Sequence, residues 1–321
     1  MIPAIKKAWL YTFCLLLLTL GCTSVNSSNR EDTPNNETTP PSGITISNTD
    51  RTNELRDRIE QISQAALGRV GVTAAVLETG ESVTLNGNQQ FPMQSVYKFP
   101  IAMAVLAQVD RGKLKLDQKI RVEASDVLQG SRILDDSSQG MEFSLSELLK
   151  YMVSESDGTS CDVLLKLLGE PRVVTEYLRG LGVNDIVVAH TEKELAQGTA
   201  VKYRNYATPD AAVVLLRAFH EGKGLSKSSQ ALLLQLMTET TTGPKRIKGL
   251  LPDGTVVAHK TGTSSTVNGV TAATNDIGLV TLPNGRHMAI SVFVSDSRAN
   301  DAVREEVIAK VAKAAWDEWS K

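Results

Sequence analysis

The sequence predicts an α/β (α+β) fold in which both ends of the chain contribute strands to one sheet and a helical domain is inserted between them. Three observations support this prediction. Strand-like runs occur at 70–85 and return at 256–294, helical signals dominate from about 95 to 236, and a helical pattern spans about 301–319. A cleft between two such parts is a usual place for a small-molecule site.

Helices are predicted where apolar residues recur at helical spacing or where capping residues open a segment. Apolar residues between 55 and 67 recur in this way. The run Ser-Leu-Ser-Glu at 144–147 has the pattern of a capping box and predicts a helix that ends at about residue 154. Thr208 and the proline after it predict the start of another helix.

Strands are predicted where β-branched and apolar residues form short runs between turn residues. The first two lie at 70–77 and 82–85, and a turn containing glycine joins them. Three more lie at 256–260, 277–282 and 288–294, with Pro-Asn-Gly as a hairpin turn between the last two.

The composition limits the classes of function. The 321 residues are 41% hydrophobic and 22% charged, which is typical of a globular protein. A net charge of -2 argues against a nucleic-acid partner, because phosphate recognition needs a clustered basic excess. Three cysteines cannot form a disulfide framework. No HExxH or HxH pattern occurs, so no metal site and no cofactor are predicted. The histidines are His190, His220, His259 and His287.

The N-terminal segment predicts export. Residues 1–22 form a signal peptide in which two lysines precede an apolar run that ends before Gly21-Cys22. A small residue before cysteine resembles the lipobox of bacterial lipoproteins, in which the cysteine is acylated. We therefore predict a periplasmic protein that is either lipid-anchored to the membrane through Cys22 or cleaved to a soluble form. Residues 23–49 are mostly polar and predict a flexible linker.

Four short segments hold side chains that could catalyse a reaction. Ser95 and Lys98 stand one helical turn apart, and a lysine with a lowered pKa can serve as base for a serine hydroxyl. The other three segments contain Ser156, Glu192 and Lys260. Each segment alone also has an ordinary structural explanation. The Ser95-x-x-Lys98 pattern could arise by chance, and Ser156 could lie in a polar turn between helices. Glu192 could be a surface-loop residue, and Lys260 could belong to an ordinary strand that contains a glycine.

The last of these segments is also suited to bind an anion. Lys260, Thr261 and Thr263 offer one positive charge and two hydroxyl groups. Gly262 between them predicts that a ligand approaches the backbone closely.

The four segments together indicate a family much more specifically than any one of them does alone. Their order, with separations of 61, 36 and 68 residues, resembles class A serine β-lactamases. The segments PMQSVYKF, TTGPKRIKGLLPDGTVVAHKTGTS and NDIGLVTLPNGR are most similar to the PER/VEB-like extended-spectrum branch. This resemblance covers residues 50–321 and implies the β-lactamase/transpeptidase-like fold, an antiparallel sheet flanked by terminal helices with an all-helical insertion. The sheet part is expected at about 50–91 and 240–321, and the helical part at about 92–239.

The resemblance also implies catalytic roles. Ser95 is the expected nucleophile, and Lys98 is expected to be neutral or hydrogen-bonded so that it helps to take the serine proton. Whether Lys98 or Glu192 is the acylation base stays open. Glu192 is expected to activate the water that hydrolyses the acyl-enzyme. Ser156, assisted by Lys260, is expected to protonate the leaving nitrogen.

The resemblance further implies how a β-lactam is held. The backbone N–H groups of Ser95 and Thr263 are expected to form the oxyanion hole. Lys260, Thr261 and Thr263 are expected to bind the substrate carboxylate. Arg246 matches an arginine that some relatives use for the same carboxylate; the alternative is a solvated basic turn.

Several positions depart from the family pattern. Gly158 and Ala196 stand where most relatives have asparagine, which affects the substrate contact and the hydrolytic water respectively. His190 and Asn205 replace an arginine–aspartate pair at the ends of the loop, which predicts a differently braced loop. The branch resemblance implies that Gln94, Thr263 and this differently braced loop favour extended-spectrum cephalosporins.

The predicted function is therefore hydrolysis of β-lactam antibiotics by a monomeric enzyme whose partner is the small-molecule substrate. Two alternatives stay open at this point. A penicillin-binding D,D-peptidase would share the serine and both lysines but would stall after acylation. A catalytically inactive, lipid-tethered binding protein would keep only the fold.

Overall fold

The computed structural model describes residues 48–131, 140–198 and 200–321. The predicted signal peptide, with Cys22, and all but the last two residues of the predicted linker lie outside this part of the chain. Among its helices, none combines the length and the apolar character needed to cross a membrane.

The described chain begins and ends with a helix, and most of its other helices lie between an N-terminal and a C-terminal group of strands. The helices are α1 (Asn48–Ser63), α2 (Lys98–Asp110), α3 (Leu145–Val153), α4 (Gly158–Leu168), α5 (Pro171–Gly180), α6 (Glu192–Leu195), α7 (Pro209–His220), α8 (Lys227–Thr238) and α9 (Asp301–Trp319). The strands are β1 (Arg69–Val76), β2 (Ser82–Leu85), β3 (Phe91–Pro92), β4 (Lys119–Val122), β5 (Met141–Ser144), β6 (Ile186–Val187), β7 (Tyr206–Ala207), β8 (Val257–Thr263), β9 (Thr266–Val267), β10 (Val270–Thr281) and β11 (His287–Ser297).

One antiparallel sheet organises the fold. Its strand order is β2-β1-β11-β10-β8, and β9 pairs with β10 beside this path. β1 and β2 precede the main run of helices, whereas β8, β10 and β11 follow it. The predicted fold class, a sheet built from both ends of the chain around inserted helices, is therefore confirmed.

The two central strands are longer than the sequence predicts. β10 spans Val270–Thr281 and β11 spans His287–Ser297, against predictions of 277–282 and 288–294. Polar residues inside these strands hide the apolar pattern, because they are buried and hydrogen-bonded rather than exposed. They include Thr271, Thr274, Asn275, Asp276, Ser291 and Ser295.

The sheet buries both of its faces. Ile290 and Val292 of β11 belong to a core shared with α1 and α9, whereas Phe293 belongs to a second core shared with the inserted helices. Adjacent strand residues point to opposite faces, so these two cores lie on opposite sides of the sheet. Burying each such side chain contributes about 1.5–3 kcal/mol. The sheet thereby fixes β8 against the inserted helices.

The structure confirms the predicted helix starts. Ser144 and Glu147 form a reciprocal capping box at the start of α3, with the Glu147 N–H donating to Ser144 Oγ at 3.2 Å. Thr208 Oγ1 accepts the Ala211 N–H at 3.2 Å at the start of α7. The final helix, α9, has the predicted bounds.

Candidate active site

Ser95 lies on a short 3-10 turn that leads into α2. The turn spans Gln94–Tyr97, so the predicted helix begins as a tighter 3-10 turn. Gln94 has a left-handed φ of 47°. Asn275 of β10 holds the turn: its Nδ2 donates to the carbonyl oxygens of Pro92 at 2.8 Å and Met93 at 3.1 Å. The serine is thus fixed to the sheet by a buried side chain.

Gly262 allows β8 to lie against this turn. A Cβ at position 262 would stand 2.3 Å from the Met93 carbonyl oxygen, which is far inside van der Waals contact. The sequence predicts that this glycine admits a ligand, but the close approach in the structure is to protein backbone. Glycine is required here because the serine turn and the strand pack directly together.

Lys98, the first residue of α2, connects three groups of the site. Its Nζ lies 3.0 Å from Ser95 Oγ and 2.8 Å from Glu192 Oε1, and it donates to the Ser156 carbonyl oxygen at 2.6 Å. Burial lowers the pKa of Lys98, but the charge and hydrogen bond of Glu192, together with other negative groups nearby, outweigh burial, so the pKa is raised above its usual value. The raised pKa favours the cationic form of this amine.

Glu192 lies inside the site rather than at the surface. It is the first residue of α6, which Thr191 and Glu194 open with a capping box. Its side chain is only 21% exposed. Burial raises the pKa of Glu192, whereas the charge of Lys98 and its hydrogen bond lower it. The lowering effects are larger in sum, so the pKa lies below its usual value. The surface-loop alternative for this residue is wrong.

Ser156 and Lys260 form the second half of the site. Lys260 Nζ donates to Ser156 Oγ at 3.0 Å and to the Thr261 carbonyl oxygen at 3.2 Å. Burial, followed by the charge of nearby Lys98, lowers the pKa of Lys260 to about 7. This amine can therefore hold or release a proton near neutral pH.

The site combines two sets of side chains. The hydroxyl, amine and carboxylate of Ser95, Lys98 and Glu192 form one array. The hydroxyl of Ser156 and the amine of Lys260 form a second pair. A sequence model described as the β-lactamase enzyme family matches residues 54–319. The chain belongs to this family. It is 43% identical over 265 residues to the extended-spectrum β-lactamase PER-1 of Pseudomonas aeruginosa, covering 82% of this chain and 86% of the relative. It is 41% identical over 271 residues to the β-lactamase VEB-1 of the same species, covering 83% and 91%.

Solved structures agree with this assignment. A β-lactamase from Chitinophaga pinensis is 48% identical and superposes with a TM-score of 0.81, covering 83% of this chain and 99% of that one. The resemblance to the PER/VEB-like class A branch, which the sequence indicates, is therefore confirmed.

In this β-lactamase, Arg246 is a buried structural cation next to β8. It is 6% exposed, so the alternative of a solvated basic turn is wrong. Its guanidinium pairs with Glu305 at 3.2 Å and donates to Thr263 Oγ1 at 2.7 Å. Thr261 Oγ1 in turn lies 2.6 Å from Thr242 Oγ1. The hydroxyl groups of Thr263 and Thr261 are thus held in place by Arg246 and Thr242 respectively.

The loop that carries Glu192 is braced by two residues. Asn205 Oδ1 accepts the N–H groups of Ala189 at 2.8 Å and His190 at 2.9 Å, and its Nδ2 donates to the His190 carbonyl oxygen at 2.9 Å. Asp162 of α4 accepts the N–H of Glu192 at 2.7 Å. The sequence alone does not indicate a role for Asp162, since nothing in its local pattern separates it from a surface helix residue.

The departures at 158 and 196 have different surroundings. A Cβ at Gly158 would lie 3.2 Å from Leu128 Cδ1 and 3.6 Å from Glu192 Cγ. Leu128 therefore occupies part of the space that a side chain at 158 would need. Ala196 caps the C-terminal end of α6 and is exposed.

Replacing Asp162 with asparagine is expected to change how folding stability depends on pH. Burial raises the pKa of Asp162 from 3.8 to about 6, although the N–H groups of Glu192 and Lys193 oppose this. The folded wild type therefore keeps its proton to higher pH than the unfolded chain. It loses up to about 3 kcal/mol of stability between these two pKa values as pH rises. Asparagine cannot ionise, so the variant avoids this loss.

Urea unfolding at pH 4.5 and 7.5 measures the effect. The free energy of unfolding of Asp162→Asn, minus that of the wild type, should be more positive at the higher pH. Asp117→Asn, at an exposed aspartate, is the matched control and should give the same difference at both pH values. A pH-independent difference for Asp162→Asn would contradict the buried-carboxyl explanation.

Proposed function

We propose that this chain hydrolyses β-lactam antibiotics through an acyl-enzyme on Ser95 that is released by water activated at Glu192. One observation carries the proposal: Lys98 Nζ lies 3.0 Å from Ser95 Oγ and 2.8 Å from Glu192 Oε1. A nucleophile, a cation and a base thus stand in one connected array, which is the arrangement that nucleophilic catalysis by serine needs. The similarity to relatives named as β-lactamases supports the same function.

Acylation begins with attack of Ser95 Oγ on the carbonyl carbon of the lactam. The serine proton must leave, and a cationic Lys98 has no lone pair to receive it. Glu192 is therefore the final proton acceptor. It receives the proton through a water, or through Lys98 when the lysine gives one proton to Glu192 and takes another from Ser95. The lowered pKa of Glu192 keeps it ionised for this step.

Ring opening requires a proton at the lactam nitrogen. Ser156 Oγ can donate its own proton there, and Lys260, whose pKa is about 7, can replace it through their 3.0 Å contact. The N–H groups of Ser95 and Thr263 are assigned to the oxyanion hole, where each donor contributes roughly 3 kcal/mol.

The substrate carboxylate is assigned to Lys260, Thr261 and Thr263. Arg246 already uses its guanidinium on Glu305, Thr263 and backbone carbonyl oxygens. We therefore assign it as a positioning residue. By donating to Thr263 Oγ1, it leaves that hydroxyl's own proton available for the substrate.

Turnover separates this function from its alternatives. The purified chain is mixed with an excess of a chromogenic cephalosporin, and product is followed with intact-protein mass. Continuous hydrolysis of many equivalents is expected, with a transient mass increase on Ser95 that Ser95→Ala lacks. A single stoichiometric burst would identify a penicillin-binding D,D-peptidase, and neither product nor adduct would identify an inactive binding protein.

The enzyme is expected to favour extended-spectrum cephalosporins. Gln94, Thr263 and the loop braced by Asn205 carry this expectation, with the named relative PER-1 as its similarity support. The measurement is kcat/KM for a bulky oxyimino-cephalosporin and for benzylpenicillin with the same preparation. The cephalosporin value should be higher; an equal or lower value would count against the extended-spectrum assignment.

We also propose that the chain is exported and anchored by a lipid on Cys22. The pattern of residues 1–22 and the polar segment after it support this. Mass spectrometry of the native N-terminus should show an acylated Cys22. An unmodified N-terminus after cleavage would instead support the soluble periplasmic form.

A further inference from the structure

Three potential metal ligands from distant parts of the chain meet far from Ser95. Glu78 lies in the turn between β1 and β2, His220 is the last residue of α7, and His287 is the first residue of β11. One ligand atom from each of these side chains lies within 4.8 Å of the others. Neither the catalytic steps nor the substrate contacts proposed above use any of the three.

The cluster is hydrogen-bonded to the backbone at one end of the sheet, where β1 ends and β11 begins. Glu78 Oε2 accepts the backbone N–H of His287 at 2.9 Å, and Glu78 Oε1 lies 2.7 Å from Nδ1 of the same residue. The Leu77 N–H donates to the His287 carbonyl oxygen at 2.8 Å, and Arg217 donates to the Leu77 carbonyl oxygen at 2.9 Å. The turn that carries the carboxylate is therefore held against β11 and α7.

The second histidine completes the cluster and leaves one side open. The ring centroids of His220 and His287 are 4.5 Å apart, and the rings are tilted by 46°. An open cavity of about 310 Å³ borders both histidines and is lined further by Ala231, Leu234 and Leu279. An ion and its remaining water ligands can reach the cluster from this cavity.

We propose that Glu78, His220 and His287 form a binding site for a divalent transition-metal ion, with Zn²⁺ as the preferred ion. Two imidazole nitrogens and one carboxylate oxygen are a ligand set that suits Zn²⁺, and a water completes four-coordination. Tetrahedral Zn²⁺ places its ligand atoms roughly 3.3 Å apart, so the side chains must close around the ion. The side chains of Glu78 and His287 are only about one third exposed, 38% and 34%, and the ion would have to take over the carboxylate–imidazole contact as they close.

Coordination replaces a hydrogen bond. In the metal-free cluster, Glu78 Oε1 and His287 Nδ1 are 2.7 Å apart. A neutral imidazole binds the ion through the nitrogen that carries no hydrogen and keeps its one hydrogen on the other nitrogen, so the ion replaces this contact with no oxidation or reduction. The ion then joins the β1–β2 turn, the end of α7 and the start of β11.

The expected consequence is stability, not catalysis. His287 lies seven residues before Val294, whose neighbours across the sheet are Thr274 and then Thr263. That separation is roughly 23 Å along the strand, so a bound ion cannot touch the substrate. An ion that binds only the folded chain raises its stability by mass action.

Zinc titration of the purified chain, prepared without a histidine tag and freed of metal by a chelator, tests the proposal. Calorimetry should show one Zn²⁺ per chain, Co²⁺ should give the visible absorption of a low-coordinate site, and Zn²⁺ should raise Tm by several degrees. Hydrolysis of the chromogenic cephalosporin should be the same with and without Zn²⁺.

His220→Gln is the critical variant because it leaves the bonds between Glu78 and His287 in place. Because it removes a direct ligand, it should weaken Zn²⁺ binding by at least as much as the loss of an outer partner does, about tenfold or more. The rise in Tm at the same Zn²⁺ concentration should be smaller than in the wild type. Glu81→Gln, on the same turn but outside the cluster, is the matched control and should bind as the wild type does. Absence of saturable binding in the wild type, or equal affinity in His220→Gln, would overturn the proposal. Neither result bears on β-lactam hydrolysis.

Discussion

Replacing Glu192 with glutamine is expected to convert continuous hydrolysis of a β-lactam into a single burst of about one product per enzyme. Glutamine keeps the shape of the side chain but cannot accept a proton from water. Loss of a general base costs about 10²–10⁴-fold in rate. Since the ester on Ser95 is then no longer hydrolysed, the acyl-enzyme should accumulate. Burst amplitude and intact-protein mass measure this directly.

Glu194→Gln is the matched control for this variant. Glu194 lies on the same short helix, is exposed, and caps α6 through Thr191. Glutamine can also serve in a capping box, so this control should turn over as the wild type does. Unchanged steady hydrolysis in Glu192→Gln would remove the assigned role. The burst itself should be slower than acylation in the wild type, because Glu192 is also the proposed final acceptor of the Ser95 proton. A burst as fast as wild-type acylation would mean that another group accepts that proton.

The sequence predicts that distant side chains meet in one site because most of them belong to short patterns whose order along the chain resembles one family. Ser95, Lys98, Ser156 and Lys260 come from segments that are 61 to 165 residues apart, and their order alone indicated that they meet. The structure brings them into one array through β8, the serine turn and the start of α2. What the sequence could not give is the charge state of Lys98, which depends on the distance to Glu192.

Other features escaped the sequence for physical reasons. α6 is four residues long, so it shows no periodicity, and its only local signal is the Thr191-x-x-Glu194 capping box. Asp162 acts on backbone N–H groups thirty residues away along the chain. Glu78, His220 and His287 are far apart in the sequence and form no local motif. The prediction of no metal site rested only on the absence of local motifs, so this cluster was not expected.

The buried charges of Lys98 and Glu192 are weak evidence for a stabilising role. Taking two ions out of water costs several kcal/mol for each, and their attraction can fail to offset that cost. In other proteins, replacing a buried ion pair by apolar residues of similar size is often neutral or stabilising. The pair is therefore best understood through its effect on the two pKa values, which keeps Glu192 ionised and ready to accept a proton.

Replacing Lys98 with alanine is therefore expected to lower kcat/KM by about 10²–10⁴-fold. In a profile of kcat/KM against pH, the loss of activity on the acidic side should begin at a higher pH. In the wild type, Lys98 holds the pKa of Glu192 below 4.5 against the effect of burial. Without the amine, burial dominates and the pKa of Glu192 rises. A higher pH is then needed to ionise the base, so the variant loses activity at acidic pH values where the wild type still works.

Profiles of kcat/KM against pH for a chromogenic cephalosporin measure both effects. Lys193→Ala is the matched control, because Lys193 is an exposed lysine directly after Glu192. The acidic side of the pH profile of this variant should not move. Circular dichroism of Lys98→Ala verifies that the fold is retained. A large loss of rate with an unmoved acidic side of the profile would mean that the amine acts only on Ser95. A wild-type rate would place Lys98 outside the reaction altogether.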